Sequence, residues 1–141
     1  MAGLLNIGEM GALALHILVE LAKVRRNDPE GRLTIQAIAT TLHASVHTLQ
    51  KVARRLIVMN MVEGMRGASG GLRLLAAPES VNLLQVLEGV EGKIGANGCL
   101  FAKRACPANE KCAFEGMTGV MERKIREYFT KTTLADLVES A

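Results

Sequence analysis

Tryptophan is absent from this 141-residue chain, and Tyr and Phe together supply four residues. An interior with so few rings has to be filled by Leu, Val, Ile, Met and Ala. Hydrophobic residues make up 49% of the chain, enough for a real core, and that mix favours helices. Long apolar runs are missing too. None reaches the roughly 18 residues that a bilayer span needs. The opening stretch MAGLLNIGEMGALALHILVELAK is apolar but broken by Glu9, His16 and Glu20. It has no basic leader and continues as an amphipathic helix, so no signal peptide and no membrane association are expected. Catalytic signatures are also lacking. There is no nucleophile elbow, no phosphate loop and no plausible carboxylate pair, and the short GASGG leads into a strand pattern rather than a helix. An enzyme is therefore not expected.

Cysteine is scarce and confined. All three lie in CLFAKRACPANEKC, Cys99 to Cys112, with Lys103, Arg104 and Lys111 between them. Three thiols cannot all pair within one molecule. With no export signal, the odd count predicts a reducing, cytoplasmic setting, where clustered thiols are metal ligands or redox sensors more often than staples. The C-x6-C-x5-C spacing is not that of a ferredoxin or a zinc ribbon. Neighbouring cations stabilise thiolate, the form that binds metal and attacks electrophiles.

The length suits one domain or a small domain with an appendage. Charge is unevenly placed. Residues 1–75 carry nine Lys/Arg against five Asp/Glu, and residues 76–141 carry eight against nine, so the front half is the one suited to a polyanion.

Apolar residues recur at helical spacing over Glu9–Arg26, and NDPEGR ends that helix with turn residues. Thr34 is an N-cap for a short helix whose inner face is Ile35, Ile38, Ala39 and Leu42. After the break at HAS, Ser45 caps VHTLQKVARRLIVMN. Val46, Leu49, Val52, Ala53, Leu56 and Ile57 are expected to point inward, leaving His47, Thr48, Gln50, Lys51, Arg54 and Arg55 outside. Two short helices with a tight turn, the second exposing a basic face, form a helix-turn-helix pattern. Strand patterns at Val62–Arg66 and Leu72–Leu75 flank GASGG, giving a Gly-tipped hairpin that carries Arg66 and Arg73. The order helix-turn-helix then hairpin is that of a winged helix, whose helix enters the major groove while the wing meets phosphates or the minor groove.

Pro78 and Ser80 are expected to start the next helix, with Leu83, Leu84, Leu87 and Val90 inside. Gly89, Gly92, Gly95 and Gly98 loosen the chain before the cysteine loop. Beyond Cys112 a long periodic helix carries Phe114, Met117, Met121, Ile125 and Tyr128 or Phe129 on one side. That is more apolar surface than its own domain can cover, which predicts a homodimer; the alternative is packing back on the first helix. A short helix, TTLADLVES, capped by Thr132 or Thr133, closes the chain. The fold class expected is mainly α: a winged helix-turn-helix domain with a two-stranded wing (1–91), a cysteine loop (92–112), and a long dimerisation helix followed by a C-terminal helix (113–141).

These stretches resemble the family of winged-helix regulators typified by IscR, NsrR and RirA. The match runs through LTIQAIATTLHASVHTLQKVARRL, the wing RGASGGLRL, the helix VNLLQVLEGVEG, the three cysteines and the terminal TTLADL. The resemblance implies a dimeric bacterial transcription factor that binds double-stranded operator DNA. It places Ser45, His47, Thr48, Gln50 and Lys51, with the adjacent Arg55, on the DNA-facing helix. Arg66, Gly67, Gly70 and Gly71 fall on the wing. It also implies an iron–sulfur cluster, [2Fe-2S] or [4Fe-4S], held by Cys99, Cys106 and Cys112, through which redox state, nitric oxide or iron status sets DNA affinity. A cluster normally takes four protein ligands. His16 is the first choice for the fourth, Glu9, seven residues earlier on the same helical face, the second, and Glu115 the third. A hydrogen-bonded core histidine is the alternative reading of His16. Leu72 stands where relatives carry an aromatic, Glu115 where one branch has a histidine, and the first cysteine gap is one residue longer than in several relatives. Without a cluster, the same thiols would act as a redox switch or a zinc site.

Overall fold

The computed structural model describes residues 7–67, 70–94 and 115–141, with the backbone alone at Glu115. The three cysteines and Phe114 lie outside the described residues. The first helix, α1 (Glu9–Asn27), runs through the centre of the molecule: Ala14, Ile17, Leu18 and Leu21 are wholly inaccessible to solvent. Around it lie α2 (Ile35–Leu42), α3 (Val46–Val58), α4 (Leu83–Glu91) and α6 (Leu134–Ser140). Among the described residues no polar side chain is buried, so this core rests on aliphatic packing alone.

The caps read from sequence are present. Thr34 Oγ1 accepts the Ala37 N–H at 3.1 Å and opens α2; Ser45 Oγ accepts the Thr48 N–H at 3.2 Å and opens α3. Between the two helices His43 adopts φ 51°, ψ 39°, and the Ala44 N–H returns to the Ala39 carbonyl at 3.1 Å, which closes α2 in a left-handed cap. The tight turn of the helix-turn-helix is thus a hydrogen-bonded device. Leu49, Val52, Ala53 and Leu56 are buried on α3 as expected. Ile57 is not: it is 39% exposed, because it turns toward the hairpin rather than the core.

The wing is part of a larger sheet than the expected two strands. Strands β2 (Val62–Met65) and β3 (Gly71–Leu74) pair antiparallel, and β1 (Arg32–Leu33) adds to the other side of β3, giving the order β1-β3-β2. Two residues are too few to show any period, so β1 had no legible sequence signal. The closeness of β1 explains Gly71. At φ 141° it lies beside Leu33, whose carbonyl oxygen would sit 2.5 Å from any Cβ placed there.

The helix after the sheet starts later than Pro78. Residues Pro78–Ser80 form one 3-10 turn, and the Ser80 hydroxyl donates to the Ala77 carbonyl at 2.8 Å, so it closes that turn instead of capping α4. Asn82 is the cap, in a reciprocal box with Gln85. On α4 the buried face is Leu83, Val86, Leu87 and Val90, with Leu84 only partly covered. Thr133 caps α6 in a second reciprocal box with Asp136. The starts of α4 and α6 are stitched together: the Leu134 N–H donates to the Val81 carbonyl at 2.8 Å and the Leu83 N–H to the Thr132 carbonyl at 3.0 Å. This brings Leu134 and Val138 into the core against α1.

The remaining helix, α5 (Glu115–Lys131), packs along α4. Its apolar stripe is only partly covered: Met121, Ile125 and Phe129 are half-buried, while Met117 is 42% and Tyr128 65% exposed, and Val120 next to them is 40% exposed. Arg126 ties α5 to α4, its Nη1 donating to Glu88 Oε1 at 2.6 Å and to the Ile94 carbonyl at 2.5 Å. That donation holds the Glu88 carboxyl below the usual glutamate range. Among the described residues no helix is long and apolar enough to cross a membrane.

Candidate nucleic-acid interface

A helix that buries Leu49, Val52, Ala53 and Leu56 must turn its opposite side outward. On α3 that side is a row at helical spacing, His47, Lys51, Arg54 and Val58, all exposed. Gln50 and Arg55 flank the row and are exposed as well. Ser45 and Thr48 are engaged locally: the Thr48 N–H and Oγ1–H both donate to Ser45 Oγ, at 3.2 and 3.3 Å, so both side chains fix the start of the helix.

On the wing, Arg66 and Gly67 are exposed, and Gly67 holds φ 97° in open space. Gly70 and Gly71 are half-buried; a Cβ at Gly70 would meet the Met65 carbonyl oxygen at 2.5 Å. Those two glycines are required by close backbone approach within the sheet. Between α3 and the wing runs a cleft of about 510 Å³, lined by Ile35, Ile57, Met65 and Leu72 and by Gln50, Arg54 and Arg66.

The cations of the front half fall into two groups. Arg73, read from sequence as a wing charge, is locked in a carboxylate pair. Its Nε and Nη2 donate to Glu63 Oε2 at 3.1 and 2.5 Å, and its Nη1 donates to Glu30. The hydrogen bonds that it donates to Glu63 and the charge of Glu30 raise its pKa further above the ordinary guanidinium value. Glu63 faces Arg73 directly across the β2–β3 ladder, a cross-strand pair visible only once the register is known. Arg25 is structural too: its Nη1 donates to the Leu75 and Ala76 carbonyls at 3.3 and 2.7 Å and ties α1 to the end of β3. Arg54 and Arg66 make no ion pair with any described residue. Of the exposed cations with no ion pair to a described residue, Lys51 and Arg54 lie on the outer row of α3, Arg55 on its flank, Arg66 on the wing and Arg26 at the end of α1.

Of the residues expected to hold a metal, Cys99, Cys106 and Cys112 and the side chain of Glu115 lie outside the described residues. His16 and Glu9 are both exposed on α1, so His16 is not a core histidine. The start of α1 has a partner that sequence reasoning missed. The Gly11 N–H donates to Glu91 Oε1 at 2.5 Å, so the last residue of α4 satisfies a helix end that Gly8 leaves without a side-chain cap. Residues 80 apart give no sequence signal for such a contact.

Comparison with known proteins agrees with this geometry. Residues 7–140 match the model of the Rrf2 family, described as an iron-dependent transcriptional regulator. The HTH-type transcriptional regulator NsrR of Bacillus subtilis (strain 168) is 33% identical over 131 residues, covering 90% of this chain and 86% of the relative. The solved structure of CymR (YrzC), the global cysteine regulator of B. subtilis, superposes with a TM-score of 0.76 at 27% identity, covering 96% of this chain and 97% of that one. IscR of T. potens shares the fold, with a TM-score of 0.72 at 19% identity over 95% of this chain and 86% of its own. A mainly helical winged helix with a basic outer row on α3, related along its length to regulators rather than to enzymes, belongs to the Rrf2 family: the chain is an Rrf2-type transcriptional regulator.

Proposed function

We propose that this regulator binds operator DNA as a homodimer and that its affinity is set by an iron–sulfur cluster on the cysteine segment, as a sensor of redox state, nitric oxide or iron, in the cytoplasm. The observation that carries the DNA reading is the outer row of α3: His47, Lys51 and Arg54 stand exposed on a helix whose other side is core. Inserted in a major groove, this helix presents His47, Gln50 and Lys51 to base edges and backbone, while Arg55 on its flank and Arg66 and Gly67 on the wing reach phosphates. Ser45 and Thr48 fix the helix start near the backbone, and Gly70 and Gly71 hold the wing's shape. The exposed Met117 and Val120 on α5 are suited to pack against a second copy.

The donor chemistry fits a cluster: three thiols with basic neighbours, and on α1 an accessible imidazole at His16 and carboxylate at Glu9, with Glu115 as a further choice. A bound cluster supplies one-electron chemistry and reactivity toward nitric oxide or oxygen. This chain's part is to hold it on the cysteine segment, which joins α4 to α5 in the sequence. Resemblance to NsrR and the iron-dependent description of the family support the reading. A coupling of about 1–3 kcal/mol between cluster and operator sites gives a 5–150-fold response. A change in α5 pairing would act by altering the separation of two recognition helices, which must match half-sites about 34 Å apart.

The second reading keeps DNA binding and uses the thiols as a cluster-free redox switch or zinc site. Lys103, Arg104 and Lys111, which favour thiolate, speak for it. Anaerobic purification with iron and sulfide assay separates the two. Cys106→Ala is expected to abolish cluster loading, and retention of iron and colour removes Cys106 from the ligand set. Equal affinity of loaded and apo protein for the DNA upstream of its own gene would falsify the switch.

A further inference from the structure

A second cavity, of about 320 Å³, lies where the last turns of α1 meet the 3-10 turn Pro78–Ser80 and α6. It shares no residue with the cleft between α3 and the wing, nor with any candidate metal ligand. The apolar part of its lining includes the buried Ala22 and Val138, with Pro78 and Ala135 beside them. The charged part is Arg25, Arg26, Glu79 and Glu139. Arg25 is already engaged, its Nη1 donating to the Leu75 and Ala76 carbonyls. Arg26, Glu79 and Glu139 are exposed and have no ion pair with any described residue, although opposite charges line the same cavity. An exposed arginine–glutamate pair gains little and costs side-chain freedom, so nothing draws these groups onto one another.

We propose that this cavity binds one free aliphatic α-amino acid. A plain anion entering it meets two carboxylates, and a plain cation meets two guanidiniums. A zwitterion satisfies both sets at once, and charge mismatch is what rejects the others. Arg26 donates to the α-carboxylate, in the paired manner that guanidinium geometry suits. Glu79 and Glu139 accept from the α-ammonium, which carries three donors and no acceptor. The hydrocarbon side chain packs on Ala22, Pro78, Ala135 and Val138. The volume and the mixed lining, apolar with a few polar groups, are those of a small-molecule site. A ligand so held ties the end of α1 to the 3-10 turn and to α6, and stabilises the fold by mass action. The site needs neither the DNA face nor a cluster.

The test titrates the full-length protein with L-alanine, L-valine and L-leucine by isothermal calorimetry, with thermal melts alongside. At least one is expected to bind saturably, one per chain, and to raise the melting temperature as its concentration rises. The same skeletons lacking the ammonium or the carboxylate (isovalerate and isobutylamine for valine) should bind about tenfold more weakly or worse. Arg26→Gln, and Glu79→Gln combined with Glu139→Gln, should each cost the amino acid about tenfold or more, since hydrogen bonds to charged groups are the strong ones. All three positions are exposed, and circular-dichroism melts without ligand check that each variant folds. No binding by any of the three amino acids up to about 10 mM, well above a useful small-ligand affinity, overturns the proposal. Binding that both folded variants retain within twofold places the ligand elsewhere and overturns it as well. Equal binding of the amine or the acid alone removes the zwitterion from the assignment.

Discussion

Helices α3 and α5 are both amphipathic, and they meet opposite fates. On α3 the apolar side is covered: Leu49, Val52 and Leu56 have no solvent exposure, and the polar side is left to face outward. On α5 no described residue is fully buried, and Met117 and Val120 keep two-fifths of their surface in water. The same periodicity thus marks a helix that the fold uses up and one that it leaves open. A covered stripe stabilises the monomer. An open one stabilises whatever docks on it, and its contribution depends on concentration.

The largest expected effect lies on the covered side. Leu56→Ala should destabilise the fold by about 2–5 kcal/mol in urea unfolding, since it opens a cavity in a core with no polar groups to recruit water. A loss below half a kcal/mol would mean that α3 is not fixed by this packing. Next comes the open helix. Met117→Asp combined with Val120→Asp should leave the melting of the monomer nearly unchanged yet shift sedimentation to monomer and weaken operator binding. A dimer that persists would place the interface elsewhere.

Two smaller effects sharpen the contrast between cations that the fold uses and those it leaves free. Lys51→Ala or Arg66→Ala should lower the salt slope of DNA binding by about one each at unchanged melting temperature. Arg73→Ala should do the reverse, lowering the melting temperature with the slope unchanged, because its charge is already matched by Glu63 and Glu30. The smallest effect is on pH. Arg126 holds the folded-state pKa of Glu88 below its unfolded value, so the unfolded chain binds this proton first. The contribution is complete above the ordinary glutamate range and disappears as pH falls through the depressed value. The stability difference between parent and Arg126→Ala, followed by denaturation from neutral to acid pH, should shrink in that direction. A gap that stays constant would show that the pair contributes through packing and not charge.

Much of the fold was legible because its signals are local. The caps at Thr34, Ser45 and Thr133, the break at His43 and the buried side of α3 each depend on residues within one or two turns. The misreadings share a cause as well. Strand β1 exists because β3 offers an unpaired side, and Ile57 is exposed because the wing, not the core, lies beside it. Ser80 closes a turn and leaves the capping of α4 to Asn82, a choice between two good caps that the pairing of Val81 with Leu134 settles. For the site, the exposed row of α3 was readable, while the neutralisation of Arg73 and the Glu91 contact to Gly11 were not, since both join residues far apart in the chain.

Sequence alone determined the helices, their order, the wing between them and the basic side of α3, because periodicity and capping act over a few residues and need no partner. Tertiary structure decided which charges are free. A guanidinium is free for a polyanion or pinned within the fold according to whether a carboxylate stands within about 3 Å of it, and for Arg73 that was set only when β2 and β3 came into register.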